Sequence, residues 1–398
     1  PEIKSPRRET DKCPVCNYGK ELEEELRELC LKNQEHPEGA WPSPNEMQRA
    51  TYLREEIMYY NEHKEKAQLQ REAHNRHRLS LGQGEAMLVC DFKENLKLNQ
   101  SRVQVSCSYY EQPARTLFEA VLHFRDADGN IQTRYFDIIS ECLDHDAPFV
   151  IKALKLVFEH EEFRARGFKK CIIWMDGARH FRNLELLRFL VDKSSSMEFE
   201  VNYFAPYHGK SVCDARFSLI SRYLQQKLME KDGQLLSTGD VIKAIQDGQN
   251  RARANNPKAP PVVSYQLLAG APEEEKTATK EIYHFDGITS LYSYRIRSGN
   301  LYASRWWSPN ASEYLLVRAK PRTITRSLKN KEPKVGYSDI TDPTEKRKRA
   351  FQACKQTLTG QKMVFKETTV EGRTFSMVGA PLDPSSDEAG GDAHLQRG

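Results

Sequence analysis

No stretch of this sequence approaches the roughly 18 consecutive apolar residues that a membrane-spanning helix needs. Hydrophobic residues make up 38% and the mean hydropathy is −0.72, so an integral membrane protein with helical spans is excluded. The first residues, Pro1 to Lys12, are charged and contain proline. They hold no apolar segment of the kind a secretory signal requires, and no such signal is expected. The chain begins at Pro1 rather than Met, as a fragment or processed piece would. Cysteine is sparse. There are nine, and only Cys13 and Cys16 are close together. That excludes the dense disulfide framework of a small secreted domain and points to a reducing compartment, cytosol or nucleus. No glycine-rich phosphate loop follows a strand-like run, which argues against P-loop and dinucleotide-binding enzymes. Neither sign of charge dominates: 60 Lys and Arg oppose 56 Asp and Glu, for a net charge of +4. Only local clusters can therefore argue for a polyanionic partner. No internal repeat is present.

The 398 residues leave room for two or three domains at roughly 100–200 residues each. Four regions are expected. Residues 1–84 read as a helical region. Leu22, Leu26 and Leu29 recur at helical spacing, and a long polar helix runs from about Glu46 to Arg78, capped by Ser43 or Asn45. Residues 85–255 read as an α/β core. Ala86–Cys90 and Cys171–Met175 are short apolar strands, and 103–110 and 199–204 are further candidates. Leu117–Phe124 and Ile131–Ile139 flank an Asp128-Gly129 hairpin signal. Helices are expected over 146–166, 181–191, 214–229 and 237–253. The alternation implies a mixed sheet flanked by helices. Residues 256–350 read as a small β-rich and basic unit. Residues 351–398, especially beyond Pro381, read as a disordered tail.

Two apolar strands end on aspartates, Asp91 and Asp176, and a third acid, Asp214, follows the next strand. Strand ends in one sheet can bring distant carboxylates together. Three of them cannot all stay ionised at close range without a cation. Mg²⁺ (or Mn²⁺) suits such a set, because it is a hard ion that takes oxygen ligands and keeps waters for chemistry. The bland alternative is that each aspartate simply makes a turn or caps a helix.

The segments around these acids carry a resemblance. They are Val89-Cys-Asp-Phe-Lys-Glu-Asn95, Trp174-Met-Asp-Gly-Ala-Arg-His-Phe-Arg-Asn183 and Phe204-Ala-Pro-Tyr-His-Gly-Lys-Ser-Val-Cys-Asp214. The sequence resembles the RNase H-like catalytic core of DDE/D transposases, and within these a eukaryotic, transposon-derived group. That group carries Asp-Gly-x-x-x-Phe-Lys/Arg-Asn and His-Gly-Lys-x-x-x-Asp segments after a Cys-x-x-Cys region and a long helix. The resemblance covers about 85–230, and 13–80 more loosely. It implies that Asp91, Asp176 and Asp214 are catalytic metal-binding carboxylates, that the partner is DNA, that the location is the nucleus and that the chain works as a multimer. Ser211 stands where that group usually has glycine, and Ala215-Arg216 replaces a glycine-rich continuation. Glu94, Glu230 and Asp240 are alternative third acids.

His208 and Lys210 flank Gly209 and are expected to hold a phosphate or donate to a leaving oxygen, the alternative being a solvated turn. His180 and Arg182 follow Asp176 near a helix start and are expected to grip the DNA backbone, the alternative being polar residues on a helix face. Cys13-x-x-Cys16 is half of a structural Zn²⁺ site. Cys30, His36, His63, His74 and His77 are candidates for the other half. His63 is the best match to the resembled group. Trp306-Trp307, among tyrosines and arginines, suits either base stacking or the packed face of a β unit. Lys346–Arg349 reads as a nuclear localisation signal or a solvated charge run. The expected function is transposase-derived, Mg²⁺-dependent DNA cleavage and strand transfer. The alternatives are a catalytically inactive, domesticated nuclear DNA-binding or interaction protein, and a nuclease acting on RNA or hybrids.

Overall fold

The computed structural model describes residues 13–34, 43–98, 100–101, 113–231, 233–267, 280–284, 288–317, 320–324, 348, 351, 364–370 and 373–379. The N-terminal region holds α1 (Pro14–Gln34) and α2 (Pro44–Leu79). The central region runs β1 (Glu85–Lys97), β2 (Gln100–Ser101), β3 (Ala114–Arg125), β4 (Ile131–Ser140), α3 (Ala147–Glu159), α4 (Glu161–Arg164), β5 (Lys170–Met175), α5 (Leu184–Lys193), β6 (Glu198–Tyr203), α6 (Val212–Met229), β7 (Gln234–Leu235) and α7 (Thr238–Asn255). After it come β8 (Val262–Leu267), β9 (Lys280–His284), β10 (Ser293–Arg297), β11 (Asn300–Ser304), β12 (Leu315–Leu316), β13 (Lys320–Ile324), β14 (Val364–Val370) and β15 (Arg373–Gly379).

One nine-stranded mixed sheet organises the molecule, in the order β12-β11-β10-β6-β5-β1-β3-β4-β8. β1, β3 and β4 form an antiparallel meander, while β5 pairs parallel with both β1 and β6. The β3–β4 hairpin turns where the sequence places it. Gly129 has φ +82°, and Asp126 Oδ1 accepts from the Asn130 amide at 2.8 Å. Strands buried on both faces read as unbroken apolar runs, which is why Ala86–Cys90 and Cys171–Met175 show no polar alternation. Leu88, Cys90, Ile173 and Met175 pack with α3 and α5 on one face. Met87, Val89, Ile172 and Trp174 pack with α6, α7 and the last turns of α2 on the other.

α2 is 36 residues long, a rod of about 54 Å at 1.5 Å per residue. Ser43 caps it, accepting from the Glu46 amide at 3.3 Å. Its buried positions, Ala50, Leu53, Glu56, Tyr60, His63, Ala67, Gln70, Ala73 and His77, recur every three or four residues. The stripe includes polar residues because α2 docks by hydrogen bonds as well as by apolar contact. Gln70 Nε2 donates to the Tyr203 carbonyl at 2.8 Å. Trp174 Nε1 donates to His77 Nδ1 at 3.0 Å, and His77 Nε2 lies 3.2 Å from Glu200 Oε1. At the other end Gly19 lets α1 approach closely, since a Cβ there would sit 2.3 Å from the Tyr60 ring.

Several expectations need correction. β8 and β10–β12 are not a separate unit, whereas β9 with β13 and β14 with β15 pair apart from the main sheet. β8 joins one edge of the main sheet and β10–β12 extend the other, because Tyr292, Tyr294, Ile296 and Trp306 find their cover in the same core. Asp91 does not end β1. The strand runs on to Lys97 against β3, and only its pairing with β5 stops at Cys90–Met175. The helix expected over 146–166 breaks at His160, whose backbone is extended. Within the region read as a tail, β14 and β15 form a hairpin. The strand expected over 103–110, residues 381–398 and most of the 320–350 basic stretch lie outside the described residues.

A polar row crosses the second face unannounced by the sequence. Asp91 lies opposite Glu119, and Glu119 lies opposite Asp137, so three acids line up across β1, β3 and β4. Arg216 of α6 answers one of them with two hydrogen bonds to Asp137, at 3.0 and 2.6 Å, both side chains having no exposure. Glu119 is fully buried beside this pair. Burial, then the Asp137 charge, pushes its carboxyl pKa well above the ordinary value, so it stays protonated at neutral pH. The linkage follows. Above about pH 4.5 the unfolded chain gives up this proton while the folded one keeps it. Stability contributed at this position therefore falls as pH rises. Glu119→Gln mimics the protonated acid, so its melting temperature should fall less than wild type's between pH 5 and 8. Parallel curves would mean that Glu119 is ionised in the fold.

Candidate functional site

Two clusters of chemistry-bearing side chains meet at the loop between β6 and α6. The first is a Cys/His group. Cys13 precedes α1, and the Cys16 amide turns back to Cys13 Sγ at 3.5 Å. His63 comes from the buried stripe of α2. His208 arrives from the β6–α6 loop, 192 residues from Cys16. Cys13 Sγ lies 3.4 Å from His63 Nε2, Cys16 Sγ lies 3.5 Å from His208 Nε2, and the two Nε2 atoms are 3.0 Å apart. All four ligand atoms lie within 4.8 Å of one another. Zn–S bonds near 2.3 Å and Zn–N bonds near 2.05 Å define a tetrahedron with edges of about 3.3–3.8 Å. The donor set and its spacing suit structural zinc. The proximity of the two thiols raises the Cys13 pKa and lowers that of Cys16, which His208 and His63 lower further by hydrogen bonding. A thiolate is the form a metal needs.

Cys13, Cys16 and His63 thus stand where a zinc site was expected. The fourth member is His208, expected instead to grip a phosphate. The other candidates are placed elsewhere. His74 packs against Trp174 and Phe204, His77 is committed to Trp174 and Glu200, Cys30 lies along α1, and His36 is outside the described residues. One signal for His208 was available: three ligands leave a closed zinc site one short. Tyr207, just before it, has φ +62°. A non-glycine residue in this region costs about 1–2 kcal/mol, and the strain turns the loop so that His208 faces the cysteines.

The second cluster is acidic. β1 and β5 stop pairing at Cys90–Met175, so Asp91 and Asp176 are the next residues on neighbouring strands. Asp214 sits in the first turn of α6 and closes a capping box with Ser211, whose amide reaches Asp214 Oδ2 at 2.8 Å. Asp91 Oδ1 accepts from the Phe92 amide at 2.8 Å, and Asp176 Oδ1 from the Ala178 amide at 2.9 Å. Each acid therefore has the local turn or cap role that aspartates commonly take. Burial, then the charges of Asp176 and Asp214, pushes the Asp91 pKa up to about 8. Burial raises Asp176 as well, against the Ala178 amide and the Arg182 charge. Their oxygens are not drawn as tightly as the Cys/His group, which is the only metal-type cluster among the described residues.

The neighbours expected to touch DNA are differently occupied. His180 packs edge-on against Phe92 and Phe181. Burial drops its pKa to about 4, so it is neutral, with Nε2 4.0 Å from Asp176 Oδ1. Arg182 lies over the Tyr292 ring, 4.0 Å from its centroid, and donates to the Thr289 carbonyl. It braces the loop after Asp176 from within and does not reach outward as a backbone clamp. Lys210 is exposed at the rim of a cavity. Glu230 pairs with Lys227 on the surface, Asp240 caps α7 as Asp214 caps α6, and the Glu94 side chain is outside the described residues. Trp306 stacks on Tyr292 and Trp307 donates to Glu200, so both belong to packing.

A family model described as a domain of unknown function (DUF8701) matches residues 70–255. That span holds Asp91, Asp176, Asp214 and His208 but not Cys13, Cys16 or His63. Neither curated proteins nor solved structures yield a match.

The metal content is directly measurable. The purified chain should carry one zinc per molecule by elemental analysis. Cys16→Ser or His208→Ala should lose most of it and melt several degrees lower, whereas His74→Ala should keep it. Full zinc in the His208 variant would remove that residue from the ligand set.

Proposed function

We propose that this chain is a transposase-derived nucleic-acid enzyme whose α/β core is RNase H-like. In this reading Asp91, Asp176 and Asp214 hold Mg²⁺ (or Mn²⁺) for DNA cleavage and strand transfer. The observation that carries it is the state of Asp91, whose carboxyl is lifted to about 8 by burial and by the two other acids of the trio. Three separate segments deliver these acids, and Asp91 is half-buried within reach of the other two charges. Such crowding is characteristic of sites that take a cation. An antiparallel meander joined to two parallel strands, with helices on both faces, further supports the reading. It is the arrangement expected of that core.

Divalent ions bound there would polarise a phosphodiester, activate the attacking water or hydroxyl, and steady the leaving oxygen. The protein's part is positional. The Phe92, Ala178 and Ser211 amides each hold one carboxylate oxygen of Asp91, Asp176 and Asp214, which fixes the orientation of the trio. The trio is looser than a single-ion cage, which suits ions that keep waters. The reading includes a nuclear location and a DNA partner.

One observation favours a second reading, a domesticated DNA-binding or interaction protein without catalysis. Asp214 already serves as a helix cap, and a cap needs no metal. Cleavage assays separate the two. Wild-type protein should nick labelled DNA only with Mg²⁺ or Mn²⁺, and Asp176→Ala should abolish nicking while retaining zinc and fold. Mn²⁺ should also raise the melting temperature of wild type and not of the variant, because only the native trio binds it. Unchanged nicking by Asp176→Ala would sink the catalytic assignment. DNA affinity with no metal-dependent cleavage would establish the second reading.

A further inference from the structure

A cavity of about 490 Å³ opens between α2 and the β6–α6 loop. Its α2 wall is made by Arg71, His74, Asn75 and Arg78, the i, i+3, i+4, i+7 set that shares one helix face. Lys210, Ser211 and Val212 form the facing wall, and His123 of β3 lies at the floor. Three cationic side chains border this space, and no aspartate or glutamate is among the described residues lining it. Ser211 is the N-cap of α6, whose end is already closed by the Asp214 carboxylate, so the positive field of the cavity comes from the three side chains. His123 is buried, and burial followed by the Arg78 charge lowers its pKa to about 4. The floor is therefore a neutral, polar surface and not another cation. The Nε2 atom of His74 is buried and makes no hydrogen bond.

The cavity shares a wall with the acidic cluster. A Cβ placed on Gly209 would lie 3.7 Å from Asp176 Cβ, and Gly209 sits between the two cavity-lining residues His208 and Lys210. One short loop thus has the carboxylates on one side and the cationic space on the other.

We infer that this cavity is a phosphate subsite that takes the nucleic-acid backbone next to the strand lying at the carboxylates, with Arg71 and Arg78 as its principal contacts. The inference rests on the proposed nucleic-acid function. It adds a binding determinant, on α2, to the site. A phosphodiester supplies the fixed negative charge that the cations select. Arginine offers planar paired donors to phosphate oxygens, and Asn75 and Ser211 add neutral polar contacts.

The test is fluorescence anisotropy with labelled single-stranded and duplex DNA, using zinc-retaining full-length protein without Mg²⁺ and without chelator. Arg71→Glu/Arg78→Glu should weaken binding at least about tenfold and flatten the slope of log K against log salt by roughly 1.5 for two lost phosphate contacts. Lys152→Glu/Lys155→Glu, on α3 across the sheet, makes the same change in net charge and should cost less than about threefold. Circular dichroism and zinc content check that both variants fold. Equal losses in the two variants, or no loss in the first, would overturn the subsite. Binding of inorganic pyrophosphate with no binding of either DNA would overturn it too. Cleavage is read in parallel. A subsite that fails while wild type cleaves leaves the catalytic reading standing. A specific loss of binding in a protein that never cleaves keeps the subsite and removes that reading.

Discussion

Cys90 and Met175 face each other in a parallel ladder, and most of the chemistry of this molecule depends on that register. A step of one residue in either strand would send one aspartate to the opposite face. As built, Val89 and Trp174 share the face covered by α6, and Asp91 follows two residues after Val89 on that face. β1 outruns β5 at this point, so the acids sit where β1 has lost one neighbour and kept the other. On the retained side, β3 continues the acidic row through Glu119.

The β6–α6 loop then determines what closes over the acids. Within eight residues it contributes Gly209 against Asp176, His208 to the Cys/His group and Ser211 as the cap that holds Asp214. Occupying the Cys/His group with a metal would fix this loop to α1 and α2, of which α2 otherwise meets the sheet through the hydrogen bonds of Gln70 and His77 and the apolar contacts of its last turns. A structural metal also offsets the cost of Tyr207 in the left-handed region, since strained backbone persists where its surroundings over-determine it. The geometry of the acidic cluster is in this way coupled to residues some 190 positions upstream. Loss of a cysteine at the N-terminus would be felt at Asp214 without any change in the sheet.

The fold was legible in the sequence wherever one local signal sufficed. Asp128-Gly129 gave away the hairpin. The apolar runs at 86–90 and 171–175 marked doubly covered strands, and the Glu-, Lys- and Arg-rich stretch after Ser43 marked the long helix. What failed was whatever depends on partners remote in sequence. β10–β12 looked like an independent unit because nothing local says that Tyr294 will be covered by the core of β6. His208 looked like a phosphate residue because Gly209 and Lys210 beside it supply that pattern, while its thiol partners lie in another region of the chain. His180 and Arg182 read as outward cations from their place after Asp176 near a helix start, but aromatic neighbours take both of them. The Glu119–Asp137–Arg216 row was invisible, since three charged residues in strands and a helix ordinarily mark solvent faces.

The cap and turn roles of the three aspartates do not decide between a structural and a catalytic reading, because the two make different demands on the same side chain. A turn or a cap uses one carboxylate oxygen and is served equally well by an exposed residue. Placing Asp91 deep enough that burial and two like charges lift it to about 8 adds nothing to a turn and works against stability above the ordinary carboxylate range. Had turn-making been the only requirement, asparagine would provide the same Oδ1 acceptor at Asp91 and Asp176 without the repulsion. The carboxyl itself is the feature that a purely structural role leaves unexplained, and a cation site is the simplest arrangement in which its ionised form becomes favourable.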